Sequence, residues 1–273
     1  MKQTTYTLIA FIALALLAYT LGGSGTDSAP ATTPDVPKDV ISVPWNGLGA
    51  ELVRSGVIDG VAFHSLYEGR GGLTSYERSL LSNSSVSALH ITRENAGVAL
   101  NLLWAFGLSN QNPVLTEGPM VDPRYGGPGG FASTGGWTLS VGNTMDHYAA
   151  HRFITLSKVE QELVERVSRN VYRPCCNNST YFPDCNHGMA MLGLLELMAS
   201  AGAPEAELYR TALAVNKLWF PGQYQTIGSY LGDSEALEHP ATILGSDYSS
   251  ASGYQRVLKL SENGQGAGSS CGV

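Results

Sequence analysis

Apolar residues recur at helical spacing along most of the chain. In the first half they form helix-like stretches at residues 48–58, 75–81 and 92–108, and Thr92 is a candidate N-cap for the last of these. The pattern therefore predicts a mainly α fold built from helical bundles.

Helix boundaries are clearer in the second half of the chain. Ser157 and Glu160 have the spacing of a capping box, which predicts a helix that runs to about residue 172. The later predicted helices are 189–200, capped by Asp184 or Asn186, then 204–219, 224–231 and 252–260. The second half thus divides into helices with a polar loop between the first two.

A glycine- and proline-rich segment separates the two halves. Residues 113–142 contain eight glycines and four prolines, too many for a simple connection. The glycines neither follow a strand nor open an apolar helix, so they do not form a phosphate-binding loop. Two interpretations stay open, a structural linker and a loop that covers a substrate.

The N-terminal residues predict a targeting segment. An uncharged apolar run at residues 6–21 follows Lys2, which is typical of a signal peptide or a short signal-anchor over residues 1–21. Residues 22–44 are rich in Gly, Ser, Thr, Ala and Pro, which predicts a flexible linker. We expect a membrane-anchored protein on the extracytoplasmic side, or a secreted one if the segment is cleaved.

Composition narrows the function classes. The chain has 273 residues, with 16 Lys and Arg against 23 Asp and Glu, and a formal net charge of −7. A globally acidic chain argues against a nucleic-acid partner, because such binding relies on basic surfaces. The sequence predicts a helical region at 45–112, a helical domain with a Cys/His site at 143–260, and a flexible tail at 261–273.

The cysteines are the most informative residues. Cys175, Cys176 and Cys185 fall in the loop before a predicted helix, and His187 follows two residues later. A helix N-terminus favours the thiolate form of a cysteine, and Arg173 would add to this effect. Because a thiolate both attacks disulfides and ligates soft metals, the residues leave several functions open.

Two of the alternatives concern disulfide chemistry. In the first, Cys185 forms a structural disulfide with Cys176 (or Cys175), and Cys271 in the tail pairs with the remaining thiol. In the second, Cys176 and Cys185 are the active pair in thiol–disulfide exchange with an unknown protein partner, and Cys271 is an auxiliary thiol. Both alternatives fit an oxidising compartment.

The third alternative is a metal site. Its ligands would be Cys175, Cys176, Cys185 and His187. Thiolate and imidazole donors suit copper or zinc, and nearby thioether donors favour Cu(I). A secondary group comprises Met145, His147 and His151, of which the two histidines would share one face if the segment were helical.

Residues 157–220 resemble the three-helix thiol-oxidoreductase domain of the cytochrome c maturation subunits. The residues that match the family pattern are Cys176, Asn178, Asp184 and Asn186, with Arg173 as an approximate match. The chain departs from the pattern where two cysteines are adjacent and where Cys185 replaces a small polar residue. The resemblance implies a membrane-anchored protein that exchanges thiols with an extracytoplasmic partner.

Overall fold

The fold is mainly helical, with one short pair of strands. The computed structural model describes residues 40–232 and 234–267. The elements within these residues, in chain order, are β1 Ile41–Pro44, α1 Leu48–Arg54, α2 Gly60–Glu68, α3 Ser75–Ser82, β2 Ala88–Ile91, α4 Ala96–Ser109, α5 Pro113–Thr116, α6 Lys158–Asn170, α7 Asn186–Ser200, α8 Glu205–Trp219, α9 Pro221–Leu231, α10 Pro240–Leu244, α11 Ser246–Ser249 and α12 Ala251–Ala267.

Helices α4 and α7 cross at the centre of the core. Every residue of α7 from Gly188 to Ala199 is buried, as expected for a helix that is apolar on all sides. The two backbones approach closely at Gly107 and Gly193. A Cβ atom on Gly107 would lie 2.2 Å from the Met189 carbonyl oxygen, and one on Gly193 would lie 2.7 Å from that of Leu103. Only glycine fits at this crossing.

The two halves of the chain share this core. Helix α4 comes from the first half and α7 from the second, and the described residues belong to one compact unit. The regions predicted separately at 45–112 and 143–260 are therefore parts of one domain. Helices α6 and α8 also pack against α7.

The glycine- and proline-rich segment 113–142 is ordered and packed. It contains α5 and three single 3₁₀ turns, each of which begins at a proline: Pro119–Val121, Pro123–Tyr125 and Pro128–Gly130. Proline suits the first position of a helix because its fixed φ is already helical. Met120 and Trp137 are buried, and the Trp137 indole donates to the Val57 carbonyl at 3.0 Å.

The N-terminal predictions concern residues that lie largely outside the structure. Residues 1–39, with the predicted signal-anchor and most of the linker, are not among the described residues. The predicted linker ends before residue 44, because β1 pairs antiparallel with β2 and Ile41 faces Ile91. Among the described residues, no helix has both the length and the apolar character needed to cross a bilayer.

Several predicted helix boundaries are confirmed and others shift. The capping box of Ser157 and Glu160 is present at the start of α6. Helix α4 begins at Ala96 rather than at residue 92, and Asn95 takes the N-cap position instead of Thr92. Helix α12 continues to Ala267, so part of the predicted tail at 261–273 is helical.

Candidate metal centre

The cysteine loop, residues 171–185, connects α6 to α7, and hydrogen bonds fix it at its base and at its tip. Its base is closed by Thr180, whose backbone N–H and hydroxyl both donate to the Val171 carbonyl, at 2.8 and 2.9 Å. Its tip is tied to the start of α12, where Ala251 N–H donates to the Cys176 carbonyl at 2.9 Å and Ser252 N–H to Asn177 Oδ1 at 2.8 Å. The loop thus holds its cysteines in one position.

Three sulfur atoms meet at the N-terminus of α7. Cys185 Sγ lies 3.7 Å from Cys175 Sγ and 4.0 Å from Cys176 Sγ. Cys185 is also the N-cap of α7, and its sulfur accepts the Gly188 N–H at 3.4 Å. This position was predicted for Asp184 or Asn186. The helix N-terminus therefore places partial positive charge beside Cys185.

The Arg173 guanidinium lies beneath the sulfur atoms and is almost completely buried, with 1% of its side chain exposed. Its Nε donates to Cys185 Sγ at 3.1 Å, and its Nη2 forms an ion pair with Asp184 Oδ1 at 2.8 Å. Its Nη1 donates to the Asn178 carbonyl at 2.8 Å. A Cβ atom on Gly188 would lie 2.4 Å from Nη2, so glycine at this position makes room for the guanidinium.

These contacts shift the pKa values of the three cysteines in different directions. Hydrogen bonds from Cys175 and Cys176 lower the pKa of Cys185 strongly, and His187 and the Arg173 charge lower it further. Hydrogen bonds to the other two cysteines, together with burial, raise the pKa of Cys175. Cys175 lowers the pKa of Cys176, but the bond to Cys185 and burial raise it on balance. These contacts therefore favour the thiolate form at Cys185 more than at Cys175 or Cys176.

The His187 ring contacts two aromatic residues at the end of α8. Its ring centroid lies 4.6 Å from that of Phe220 and 5.6 Å from that of Trp219. The Trp219 indole is itself fixed, because it donates to the Ala96 carbonyl at 3.2 Å. Sequence reasoning identified His187 but missed these two aromatic residues, which lie more than thirty positions further along the chain.

The cluster offers two overlapping sets of metal ligands. Ligand atoms of Cys175, Cys185 and His187 all lie within 4.8 Å of one another, and so do those of Cys176, Asp184 and Cys185. Sulfur ligands that each lie about 2.3 Å from one ion are about 3.8–4.0 Å apart at tetrahedral to trigonal angles. The sulfur separations of 3.7 and 4.0 Å match these values.

No disulfide joins the three cysteines in the described part of the chain. Cys175 is exposed, Cys176 and Cys185 are half-buried, and none of the three is in a disulfide. The predicted structural disulfide of Cys185 with Cys176 or Cys175 is therefore not present, since a disulfide requires sulfur atoms about 2.05 Å apart. The predicted role of Cys271 concerns a residue outside the described ranges.

The predicted secondary group comes together only in part. His147 Nδ1 lies 3.0 Å from His151 Nε2, with the two rings nearly parallel, and His147 Nε2 lies 3.1 Å from the Val141 carbonyl oxygen. Met145 lies in a 3₁₀ turn, Thr144–Asp146, but the stretch between the two histidines is not helical, because Ala149 has a positive φ of 49°. No further His, Cys, Asp or Glu among the described residues completes a set of three with these histidines. Met145 packs against Gly129.

The glycine- and proline-rich segment also packs against the cysteine loop. Ser133 N–H donates to the Asp184 carbonyl at 3.1 Å, and the Phe131 and Phe182 rings meet edge to face at 5.4 Å. The segment therefore forms one wall beside the cysteine cluster in addition to its packing on the core.

Comparison of the chain with protein-family models, with curated proteins and with solved structures finds no match. The order of α6, cysteine loop, α7 and α8 agrees with the three-helix layout predicted for residues 157–220. The resemblance to the cytochrome c maturation subunits stays a prediction.

Proposed function

We propose that this protein binds a soft transition-metal ion, Cu(I), through Cys175, Cys185 and His187. The convergence of two sulfur atoms and an imidazole within 4.8 Å carries the proposal. The ligands come from a loop and from the first turn of α7, and both are fixed by contacts with the core. Such a site is held in place before the metal arrives, which reduces the ordering cost of binding.

The donor set favours Cu(I) over other ions. Calcium and magnesium ions prefer oxygen ligands, so a sulfur-rich site does not suit them. Structural zinc sites take four protein ligands, and a zinc ion on this set of three would need water as a fourth ligand, which Cu(I) does not require. Thiolate sulfur and imidazole suit both Cu(I) and zinc, so the number of ligands is what favours Cu(I) here.

The buried charges support the same function. A thiolate is the ligating form of cysteine, and the Arg173 contact and the N-terminus of α7 hold Cys185 in that form. Asp184 balances the guanidinium charge, since it accepts from Arg173 at 2.8 Å and from Asn178 Nδ2 at 3.0 Å. These contacts orient the ligand sulfur as outer-shell hydrogen bonds do in metal sites.

Anaerobic titration of the reduced protein with Cu(I) against a coloured Cu(I) chelator tests the proposal. We expect the protein to remove copper from the chelator and Cys185→Ser to lose this ability. We expect His187→Gln to bind copper more weakly, and the matched control His64→Gln to bind as the parent does, because His64 lies on α2 and belongs to neither ligand set. The proposal is wrong if the parent protein removes no copper, or if Cys185→Ser binds as tightly as the parent.

Thiol–disulfide exchange is the second candidate, and the exposure of Cys175 beside the Cys185 thiolate favours it. The partner would be an extracytoplasmic protein, as the sequence and the family resemblance predict, with residues 1–21 as the membrane anchor. A redox titration with glutathione tests this function. Exchange requires a reduction potential well above about −300 mV, whereas a lower potential would contradict it.

A further inference from the structure

A pocket of about 550 Å³ shares no residue with the cysteine cluster. It is lined by residues of α5, of the segment 149–156 and of α6. Its apolar lining includes Pro113, Ile154 and Leu156, and the rest is mostly polar. Its volume is in the range of small-molecule sites in proteins, about 300–1,000 Å³, and such sites combine an apolar lining with a few polar groups.

Arg152 is the one charged side chain that the described residues contribute to this pocket. Its Nε donates to Gln111 Oε1 at 2.6 Å, which fixes the guanidinium at the pocket wall. No other hydrogen bond joins this guanidinium to the described part of the chain, so its two Nη groups are available to a ligand. The planar guanidinium fork matches the geometry of a carboxylate.

The Asn112 side chain adds a hydrogen-bond donor to the pocket. It is 2% exposed, and its Oδ1 is already occupied, since it accepts the Val114 N–H at 2.9 Å and Gln161 Nε2 at 3.0 Å. Burial raises the pKa of Glu196 and the nearby Asn112 amide lowers it in part, but Nδ2 forms no hydrogen bond with any described residue. A buried donor without an acceptor is costly, so Asn112 favours a ligand that brings an acceptor oxygen.

We propose that this pocket binds a small organic carboxylate. Arg152 pairs with the carboxylate, and Asn112 donates to an oxygen atom of the same ligand. The apolar body of the ligand packs against Pro113, Ile154 and Leu156. The inference goes beyond the proposed function and is independent of it, because no residue of the pocket belongs to either candidate set of metal ligands.

Two pairs of probes test the inference by ligand-detected NMR titration of the full-length protein. Benzoate and hexanoate each carry a carboxylate on an apolar body, and benzamide and hexanamide are their neutral counterparts. We expect at least one carboxylate to bind about tenfold or more tightly than its amide, because the amide loses the charged hydrogen bonds to Arg152. Inorganic phosphate at an equal concentration should not displace it, because phosphate has no apolar body. The inference is overturned if neither carboxylate binds, if the amides bind equally well, or if phosphate displaces the carboxylate.

Two variants locate the binding site. Arg152→Gln should weaken carboxylate binding about tenfold or more. Arg256→Gln is the matched control, because Arg256 is an exposed arginine of α12 outside the pocket, and we expect it to bind as the parent does. Equal losses in the two variants, or no loss in Arg152→Gln, would overturn the assignment to this pocket. The comparison of carboxylate with amide in the parent decides the chemistry of the ligand even where a variant fails to fold.

Discussion

At the scale of single residues, Arg173 connects the stability of the cysteine loop to its chemistry. A fully buried guanidinium is costly unless its charge and its N–H groups are satisfied. Here Asp184, Cys185 and the carbonyl groups of the loop satisfy them. The same contacts orient the sulfur that both candidate ligand sets share, so the residue that stabilises the loop also shapes the candidate metal centre.

Replacing Arg173 with methionine tests this role. Arg173→Met leaves the Asp184 carboxylate without its buried partner, so we expect the free energy of unfolding to fall by about 3–5 kcal/mol. Chemical denaturation followed by circular dichroism measures the change. Arg124→Met removes an arginine whose side chain is 80% exposed in its pair with Asp122, and we expect little change there. Equal losses in the two variants would contradict the buried role of Arg173.

Glu196 is the one charged residue in the apolar sequence of α7. It is completely buried, and its Oε2 accepts from Asn110 Nδ2 at 2.7 Å. Burial raises the pKa of Glu196 to about 8, although the Asn110 hydrogen bond lowers it in part. An isolated glutamate among the methionines and leucines of a helix is the sequence signal that could have identified this residue.

The raised pKa of Glu196 makes stability depend on pH. Between pH 4.5, its ordinary value, and about 8, the folded state keeps a proton that the unfolded state releases. The free energy of unfolding therefore falls as pH rises through this window, by on the order of 5 kcal/mol in total. Denaturation at several pH values measures the slope, and Glu196→Gln should flatten it. Exposed Glu162→Gln is the control, and an unchanged slope in Glu196→Gln would contradict the assignment.

At the scale of elements, the sequence predicts those helices and turns that depend on contacts between residues close together in the chain. Ser157 and Glu160 satisfy each other at the start of α6, so their spacing alone predicts that helix. Strand β1 was missed because its four residues read as part of a proline-rich linker, and only pairing with β2 makes them a strand. His147 and His151 are in contact, as helical spacing would place them, but a turn at Ala149 rather than a helix brings them together. The spacing does not predict this turn.

The crossing of α4 and α7 gives a prediction about backbone packing. A Cβ atom at Gly193 would lie 2.7 Å from the Leu103 carbonyl oxygen, so Gly193→Ala must push the two helices apart. We expect a loss of about 1–3 kcal/mol in the free energy of unfolding. Gly97→Ala on α4 is the matched control, because no atom lies within 4 Å of its Cβ position. Alanine there should stabilise the helix by up to about 1 kcal/mol, and thermal melts of both variants measure the contrast.

At the scale of the whole molecule, the candidate metal centre lies where several elements meet. Its ligands come from the cysteine loop and α7, the aromatic residues beside His187 come from the end of α8 and the residue after it, and α12 holds the tip of the loop. Helix α7 then continues through the middle of the core and packs on α4 from the other half of the chain. An ion bound at the N-terminus of α7 would therefore stabilise an arrangement that depends on the entire core.

Copper binding should accordingly stabilise the described domain as one unit. A ligand that binds only the folded state at 100 times its dissociation constant adds about 2.7 kcal/mol, which corresponds to a rise in Tm of about 5–10 °C for a domain of this size. Differential scanning calorimetry of the reduced protein should show a single transition that shifts as a whole on addition of Cu(I) and returns on addition of a chelator. The Tm of Cys185→Ser should be the same with and without copper. Two transitions, of which copper moves only one, would contradict the shared core, because the two halves would then unfold independently.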